Sequence, residues 1–167
     1  MAPTPAAVTR AAIALGSNIG DSASILKDAL KALDQHPQVS LVRHSSWYRT
    51  VPVGPAQDDF LNGCALLETD LAADALLELL LSTEQDFGRV RLEHWGPRSL
   101  DLDLILYGDQ VISSDRLQVP HPRLAERSFV LTPLAEIAPE WIEPTSGKTI
   151  SELASQLGED GILQRIT

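Results

Sequence analysis

Leu100-Asp101-Leu102-Asp103-Leu104-Ile105-Leu106 alternates leucine with aspartate and then closes on an apolar run. A period of two is the mark of a β-strand, in which residues i and i+2 share a face. Leu100, Leu102 and Leu104 are therefore expected to face a core, and Asp101 and Asp103 to project together from the other side. Their Cα atoms would lie roughly 6.5–7 Å apart. Aspartate is depleted in strands, and like charges on one face repel. A hard cation removes that conflict, because Mg²⁺ takes one or two carboxylates together with waters and phosphate oxygens. A solvated strand face is the other reading, and spacing alone leaves both open.

The segment just before this strand, Arg89-Val90-Arg91-Leu92-Glu93-His94-Trp95-Gly96-Pro97-Arg98, reads as a long polar loop. Guanidinium groups match phosphate oxygens in a bidentate fork, so its three arginines suit an anion. Trp95 has little core to enter from such a loop. It can lie over a flat ligand, close a lid, or serve as a half-buried anchor. From Arg89 to Arg127 six arginines balance six acidic residues, whereas the whole chain carries a net charge of −10. The full deficit thus lies outside this segment. No G-x-x-x-x-G-K-[ST] sequence is present, so any nucleotide phosphates must be held by arginines and metal. Gly16-Ser17-Asn18-Ile19-Gly20-Asp21 reads better as a strand-to-helix turn than as a phosphate cradle. His121, between Pro120 and Pro122, reads as part of a rigid exposed turn. His36 and His44 show no ligand spacing.

The remaining pattern organises the chain around these features. A strand at Arg10–Leu15 precedes a helix over about 23–35, capped by Asp21 or Ser22 and stopped by His36-Pro37. Val39–Tyr48 reads as a strand, residues 50–55 as a Pro/Gly-rich loop, and Phe60–Thr69 as the next strand. An apolar helix follows from Ala72 to about Phe87, stopped by Gly88. Strand 100–107 turns at Gly108-Asp109. Val111-Ile112 and Leu117–Val119 can form a small hairpin. Helices over about 127–137 and from Ser151 complete the chain. Strand, helix, strand, strand, helix, strand is the ferredoxin-like βαββαβ order: an α+β fold with helices on one face of an antiparallel sheet and a C-terminal extension after residue 108. No repeat or internal boundary is visible. Residues 1–9 are expected to be a loose tail and 10–167 a single domain.

Composition excludes several function classes. With 167 residues, a hydrophobic fraction of 44% and a charged fraction of 22%, the chain is an ordinary globular one. A net charge of −10 argues against an electrostatic grip on a nucleic-acid backbone. The single cysteine, Cys64, sits in an apolar run and reads as a buried hydrophobe. It permits no internal disulfide, which fits a reducing compartment. Pro3, Pro5 and Arg10 break any secretory core, and no stretch approaches a membrane span. A cytoplasmic protein is expected.

Taken together, Arg89-Val90-Arg91, Trp95-Gly96-Pro97-Arg98 and Leu100-Asp101-Leu102-Asp103 resemble the signature of the 6-hydroxymethyl-7,8-dihydropterin pyrophosphokinases. The resemblance begins at Ala14-Leu15-Gly16-Ser17-Asn18-Ile19-Gly20-Asp21. It continues through Ser46-Trp47-Tyr48-Arg49-Thr50, Phe60-Leu61-Asn62, Glu84 with Gly88-Arg89, and Val119-Pro120-His121-Pro122-Arg123. It ends at Arg127-Ser128-Phe129-Val130-Leu131 with Pro133-Leu134. It implies a ferredoxin-like fold and transfer of pyrophosphate from ATP to the pterin alcohol, with two Mg²⁺ ions bridging the phosphates. Asp101 and Asp103 match the metal ligands. Thr50, Val51, Val53, Phe60, Asn62, Trp95 and Phe129 match the pterin side, with Phe129 stacking on the ring. Glu84, Arg91, Arg98, Ile105, Arg116, His121 and Arg127 match the nucleotide side. Arg89 and Arg98 match mobile-loop arginines linked to catalysis. Phe60 stands where relatives carry Tyr, and Pro122 where some carry Tyr. The 91–95 stretch is one residue shorter than in some relatives.

The chemistry agrees with this pattern. Attack of a primary alcohol on the β-phosphorus of ATP depends on positioning and charge neutralisation more than on covalent catalysis. A monomer acting on two small molecules is expected. A ferredoxin-like sensor or RNA-binding module is the non-enzyme alternative. RNA binding needs exposed aromatics on central strands and a basic face, which this sequence lacks. A nucleotidyl transferase with a similar Asp-x-Asp pair is the enzyme alternative.

Overall fold

The computed structural model describes residues 8–17, 22–50, 60–87, 100–159 and 161–166. Strand β1 (Thr9–Ser17) leads into helix α1 (Ser22–Asp34), and strands β2 (Val39–His44), β3 (Trp47–Thr50) and β4 (Phe60–Thr69) follow. Helix α2 (Ala73–Asp86) then precedes β5 (Asp101–Tyr107). Beyond these lie a hairpin of β6 (Ile112–Ser113) and β7 (Gln118–Val119), a 3-10 turn at Leu124–Glu126, α3 (Ser128–Ile137), α4 (Ile150–Leu157) and β8 (Ile162–Ile166). Among the described residues no helix is long and apolar enough to cross a membrane.

All pairings in the main sheet are antiparallel, in the order β5-β1-β4-β3-β8, with β2 also on β4. The long strand β4 has β1 along one side and, along the other, β2 at one end and β3 at the other. The sequence suggests one strand over 39–48; the sheet divides it in two. Ser45 makes the break. Its hydroxyl donates to the Ser46 carbonyl at 2.7 Å and accepts the Cys64 amide at 2.9 Å. The Ser45 amide still donates to the Cys64 carbonyl at 2.8 Å, so the buried hydroxyl takes over one half of the ladder where the chain steps from β2 to β3.

Each face of the sheet has its own core. On one, Ala11, Ile13, Leu15, Ala65, Leu67, Leu102 and Leu104 meet α1 (Leu26, Ala29, Leu30, Leu33) and α2 (Leu76, Leu80). On the other, Ala12, Ala14, Cys64, Leu66, Ile105 and Leu106 meet α3 (Val130, Leu131, Leu134, Ile137) and α4 (Ile150, Leu153). The expectation of helices on one face therefore describes α1 and α2 alone; α3 and α4 cover the second face. In this second layer the sequence signal for α4 starts one residue late. Thr149 caps the helix in a reciprocal box with Glu152. Strand β8 is absent from the sequence reading.

The alternation of β5 is interrupted once. Ile13 pairs with Leu104 and Ala12 with Leu106, so Ile105 is an extra residue in the ladder. Such a bulge lets two successive residues face one side, and Ile105 and Leu106 both enter the α3 core. N-terminal to the bulge the alternation is regular, with Leu102 and Leu104 inward towards α1 and α2.

Candidate active site

The site lies on the α3 face of the sheet, past the N-terminus of that helix. In register, Asp101 faces Gly16 and Asp103 faces Ala14 on β1. Gly16 in turn faces Asn62, and Asn62 faces Tyr48. Phe60 pairs with Thr50. All of these positions fall on one side by the period-two rule. Small residues opposite the two aspartates leave this surface uncovered, and a cleft of about 290 Å³ opens there. Asp101, Asp103, Asn62, Thr50 and Phe60 line its floor; Arg123, Glu126, Arg127 and Phe129 form its far wall.

Asp101 is half-buried and Asp103 exposed. Both point away from the Leu102 and Leu104 core, as their spacing suggests. Glu84 of α2 is buried, and its carboxylate accepts the Leu102 amide at 2.7 Å. This bond fixes the backbone between the two aspartates from the opposite face.

The Asn62 amide is held on both sides. Its Nδ2 donates to Thr50 Oγ1 at 2.6 Å. Its Oδ1 lies against Gly16, where an added Cβ would come within 2.6 Å of it. Gly16 is thus required for close approach within β1, which runs on to Ser17 where the sequence reading ends the strand at Leu15 and begins a turn.

On the far wall, the Arg127 guanidinium carbon sits 5.5 Å from the Phe129 ring centroid, within cation–π range. Pro133 inside α3 lacks the amide that would bond the Phe129 carbonyl, so the first helical turn is tied less tightly to the rest. Arg123 and Glu126 bracket the 3-10 turn and form an exposed ion pair at 3.7 Å. Neither has an assigned role in the sequence reading. The gathering of arginines between residues 89 and 127 is the signal that points towards Arg123; Glu126 has none.

His121 is tied to the bulge, its amide donating to the Ile105 carbonyl at 3.0 Å. Its Nδ1 accepts the Arg123 amide at 3.2 Å, which places any ring proton of the neutral form on Nε2. Burial lowers its pKa, and the Arg127 and Arg123 charges add to this against the opposing pull of Asp103.

The structure gathers Thr50, Phe60, Asn62, Asp101, Asp103, Arg127 and Phe129 around one cleft. Ile105 is buried in the α3 core and reaches the His121 turn through its carbonyl. Arg116 pairs with Glu78 on the exposed side of α2. Neither lines the cleft. Val51, Val53, Arg89, Arg91, Trp95 and Arg98 lie outside the described residues.

Comparison with known proteins fits this geometry. Residues 12–139 match the 7,8-dihydro-6-hydroxymethylpterin-pyrophosphokinase (HPPK) family. A Synechocystis protein named 2-amino-4-hydroxy-6-hydroxymethyldihydropteridine pyrophosphokinase is 50% identical over 147 residues, 88% of this chain and 75% of that protein. One of the same name from Methylorubrum extorquens is 44% identical over 156 residues, covering 93% of this chain and 98% of the relative. Among solved structures, an HPPK-DHPS chain in complex with substrates superposes with a TM-score of 0.72 at 14% identity, over 89% of this chain. The wild-type Plasmodium falciparum HPPK-DHPS with pteroate gives 0.70 at 12% identity, over 93%. The chain spans 42% and 43% of those two longer chains, and the likeness to them is one of fold. The chain belongs to the 7,8-dihydro-6-hydroxymethylpterin-pyrophosphokinase family.

Proposed function

We propose that this chain transfers pyrophosphate from ATP to 6-hydroxymethyl-7,8-dihydropterin, giving AMP and the pterin diphosphate, a step of folate biosynthesis. The observation that carries this reading is one cleft lined at one end by Asp101 and Asp103 and at the other by Asn62, Thr50 and Phe129. Paired carboxylates suit metal-bound phosphates; an anchored amide beside an aromatic ring suits a flat heterocycle with donors and acceptors on its edge.

The donor set fits Mg²⁺. Two carboxylates on one strand face supply hard oxygen ligands and leave room for water and phosphate oxygens. Among the described residues no group of three or more His, Cys, Asp or Glu side chains forms a closed cage. Asp101 and Asp103 would hold two ions, which neutralise the phosphate charge and polarise the β-phosphorus.

Asn62 and Phe129 orient the pterin so that its hydroxymethyl oxygen points along the cleft towards the aspartates. The oxygen forms a bond to the β-phosphorus, and the bond from that phosphorus to the bridging oxygen of AMP breaks. AMP leaves with the electron pair, and the hydroxyl proton of the pterin alcohol is released to water. Arg127 and Arg123 face the phosphates from the far wall, and His121, held by the Ile105 carbonyl behind that wall, acts on the nucleotide side. Arg89 and Arg98 act as loop arginines on the same charge, Arg91 on the nucleotide, and Trp95, Val51 and Val53 on the pterin. Asp101 and Asp103 are weak bases when bound to metal, so no general base is assigned.

The βαββαβ portion is read as ferredoxin-like: β5-β1-β4-β3 is the spatial order that fold requires, and α3, α4 and β8 form an extension after residue 108. The protein is read as a cytoplasmic monomer that binds no nucleic acid, in keeping with its net charge of −10.

Phosphorus NMR of a reaction containing ATP, Mg²⁺ and the hydroxymethyl pterin tests the activity. Free AMP and a diphosphate ester on the pterin are expected. Free pyrophosphate with a nucleotide on the acceptor would make the chain a nucleotidyl transferase. No ATP turnover under these conditions would favour a sensor.

A further inference from the structure

Two turns along α3 from Phe129, the Glu136 carboxylate gathers four polar groups. Its Oε1 accepts from the Tyr48 hydroxyl at 2.5 Å. Its Oε2 accepts from the Ser46 amide at 2.9 Å and the Ser46 hydroxyl at 3.0 Å. The Arg165 guanidinium of β8 lies 3.6 Å from Oε2, and its Nε donates to the Ser46 hydroxyl at 3.1 Å. Surface ion pairs are seldom built this way; here each oxygen has a defined donor.

The position of this cluster matters. Residues seven apart share a helix face, so Phe129 and Glu136 look the same way, about 10 Å apart along α3. Ser46, Tyr48 and Thr50 alternate onto one side of the chain that enters and forms β3. Helix α3 and strand β3 are thus two rails. Glu136 ties them at Ser46 and Tyr48. At the other end, Phe129 on one rail faces Thr50 and its partner Asn62 on the other, both in the cleft.

We propose that Glu136 is a positioning residue for the acceptor slot: its grip on Ser46 and Tyr48 sets the gap between the Phe129 ring and the Thr50–Asn62 pair. Strand β8 joins the same clamp through Arg165, which gives the C-terminal strand a part in substrate binding without touching substrate. This rests on the reading of that end of the cleft as the pterin site.

Steady-state kinetics of Glu136→Gln and Tyr48→Phe, with each substrate varied at saturation of the other, tests the clamp. The amide keeps the shape of Glu136 but cannot accept all of these donors. Glu136→Gln is expected to raise the pterin KM about tenfold while the ATP KM and kcat stay within about twofold. Tyr48→Phe, which keeps the ring and loses one bond, is expected to raise the pterin KM about threefold. In a Phe129→Ala background the Glu136→Gln effect should largely vanish, because the slot it spaces is gone. An unchanged pterin KM, parallel increases in both KM values, or a full effect without Phe129 would each overturn the proposal. Should Glu136→Gln not fold, the Tyr48→Phe selectivity decides. Should Asn62→Ala and Phe129→Ala leave the pterin KM unchanged, the slot lies elsewhere and the clamp falls with that reading.

Discussion

The Glu84 carboxylate accepts the Leu102 amide at 2.7 Å, so a buried acid on α2 holds the backbone between Asp101 and Asp103. Strand β5 is at the end of the sheet and pairs with β1 alone among the described strands. On its outer side Glu84 supplies the acceptor that a neighbouring strand would otherwise provide. The family resemblance places Glu84 on the nucleotide side; its observed bond gives it a structural task beneath the aspartate pair.

Glu84→Ala should therefore cost about 1–3 kcal/mol of stability, because it orphans a buried amide. It should also raise the Mg²⁺ concentration needed for half-maximal rate. Glu84→Gln keeps an acceptor oxygen and should recover most of both. Urea unfolding and Mg²⁺ titration of the two variants provide the check. Equal losses in both would place the importance of Glu84 in its charge.

Asp101→Asn and Asp103→Asn should each retain the fold and lower kcat on the order of 10²–10³-fold, the scale for removing one preorganised charge contact. Both side chains point out of the Leu102 and Leu104 core, so far-UV circular dichroism should be unchanged. Turnover like that of the wild-type protein at ordinary Mg²⁺ would refute the metal assignment.

Gly16→Ala tests the pterin end without replacing a polar side chain. The new Cβ would meet Asn62 Oδ1 at 2.6 Å, closer than such atoms come in real structures. The amide must shift, breaking its bond to Thr50 or its aim into the cleft. The pterin KM should rise on the order of tenfold, with the ATP KM nearly unchanged. A rise confined to ATP would move Asn62 off the acceptor.

The sequence exposes the parts of this site that lie on regular alternation. Asp101 and Asp103 are legible because i and i+2 share a strand face. The side-chain hydrogen bond from Asn62 to Thr50 is not, because it depends on the register of β3 against β4. The bulge at Ile105 falls in the apolar run that closes the strand, where no polar residue marks the faces, and only the pairing of Leu104 with Ile13 and of Leu106 with Ala12 reveals it. Strand β8 is five residues long and pairs with β3 from more than a hundred positions away, so local pattern carries little of it. Glu136 reads as one more acid on a helix; its value comes from Ser46 and Tyr48, some 90 residues earlier.

The Glu136 cluster also sets a pH dependence. Burial raises the Glu136 pKa, but the hydrogen bonds from Tyr48 and from the Ser46 amide and hydroxyl, with the Arg165 charge, outweigh it and hold the carboxyl below the usual value of about 4.3. A depressed folded pKa means that the unfolded chain binds the proton more readily. The cluster's stabilisation is thus full above the unfolded value and is lost as pH falls through the folded one. The stability difference between wild type and Glu136→Gln should be largest near neutral pH and shrink on acidification. Chemical denaturation at about pH 7 and about pH 3 measures it; a constant difference would separate the cluster from any charge effect.

The most direct test of the central claim is a crystal structure with Mg²⁺, a non-transferable ATP analogue and the hydroxymethyl pterin. The account predicts metal bound to Asp101 and Asp103, the pterin edge on Asn62 and its ring against Phe129, with the hydroxymethyl oxygen aimed at the β-phosphorus. Pterin bound away from Asn62 and Phe129, or phosphates and metal bound away from the two aspartates, would contradict it.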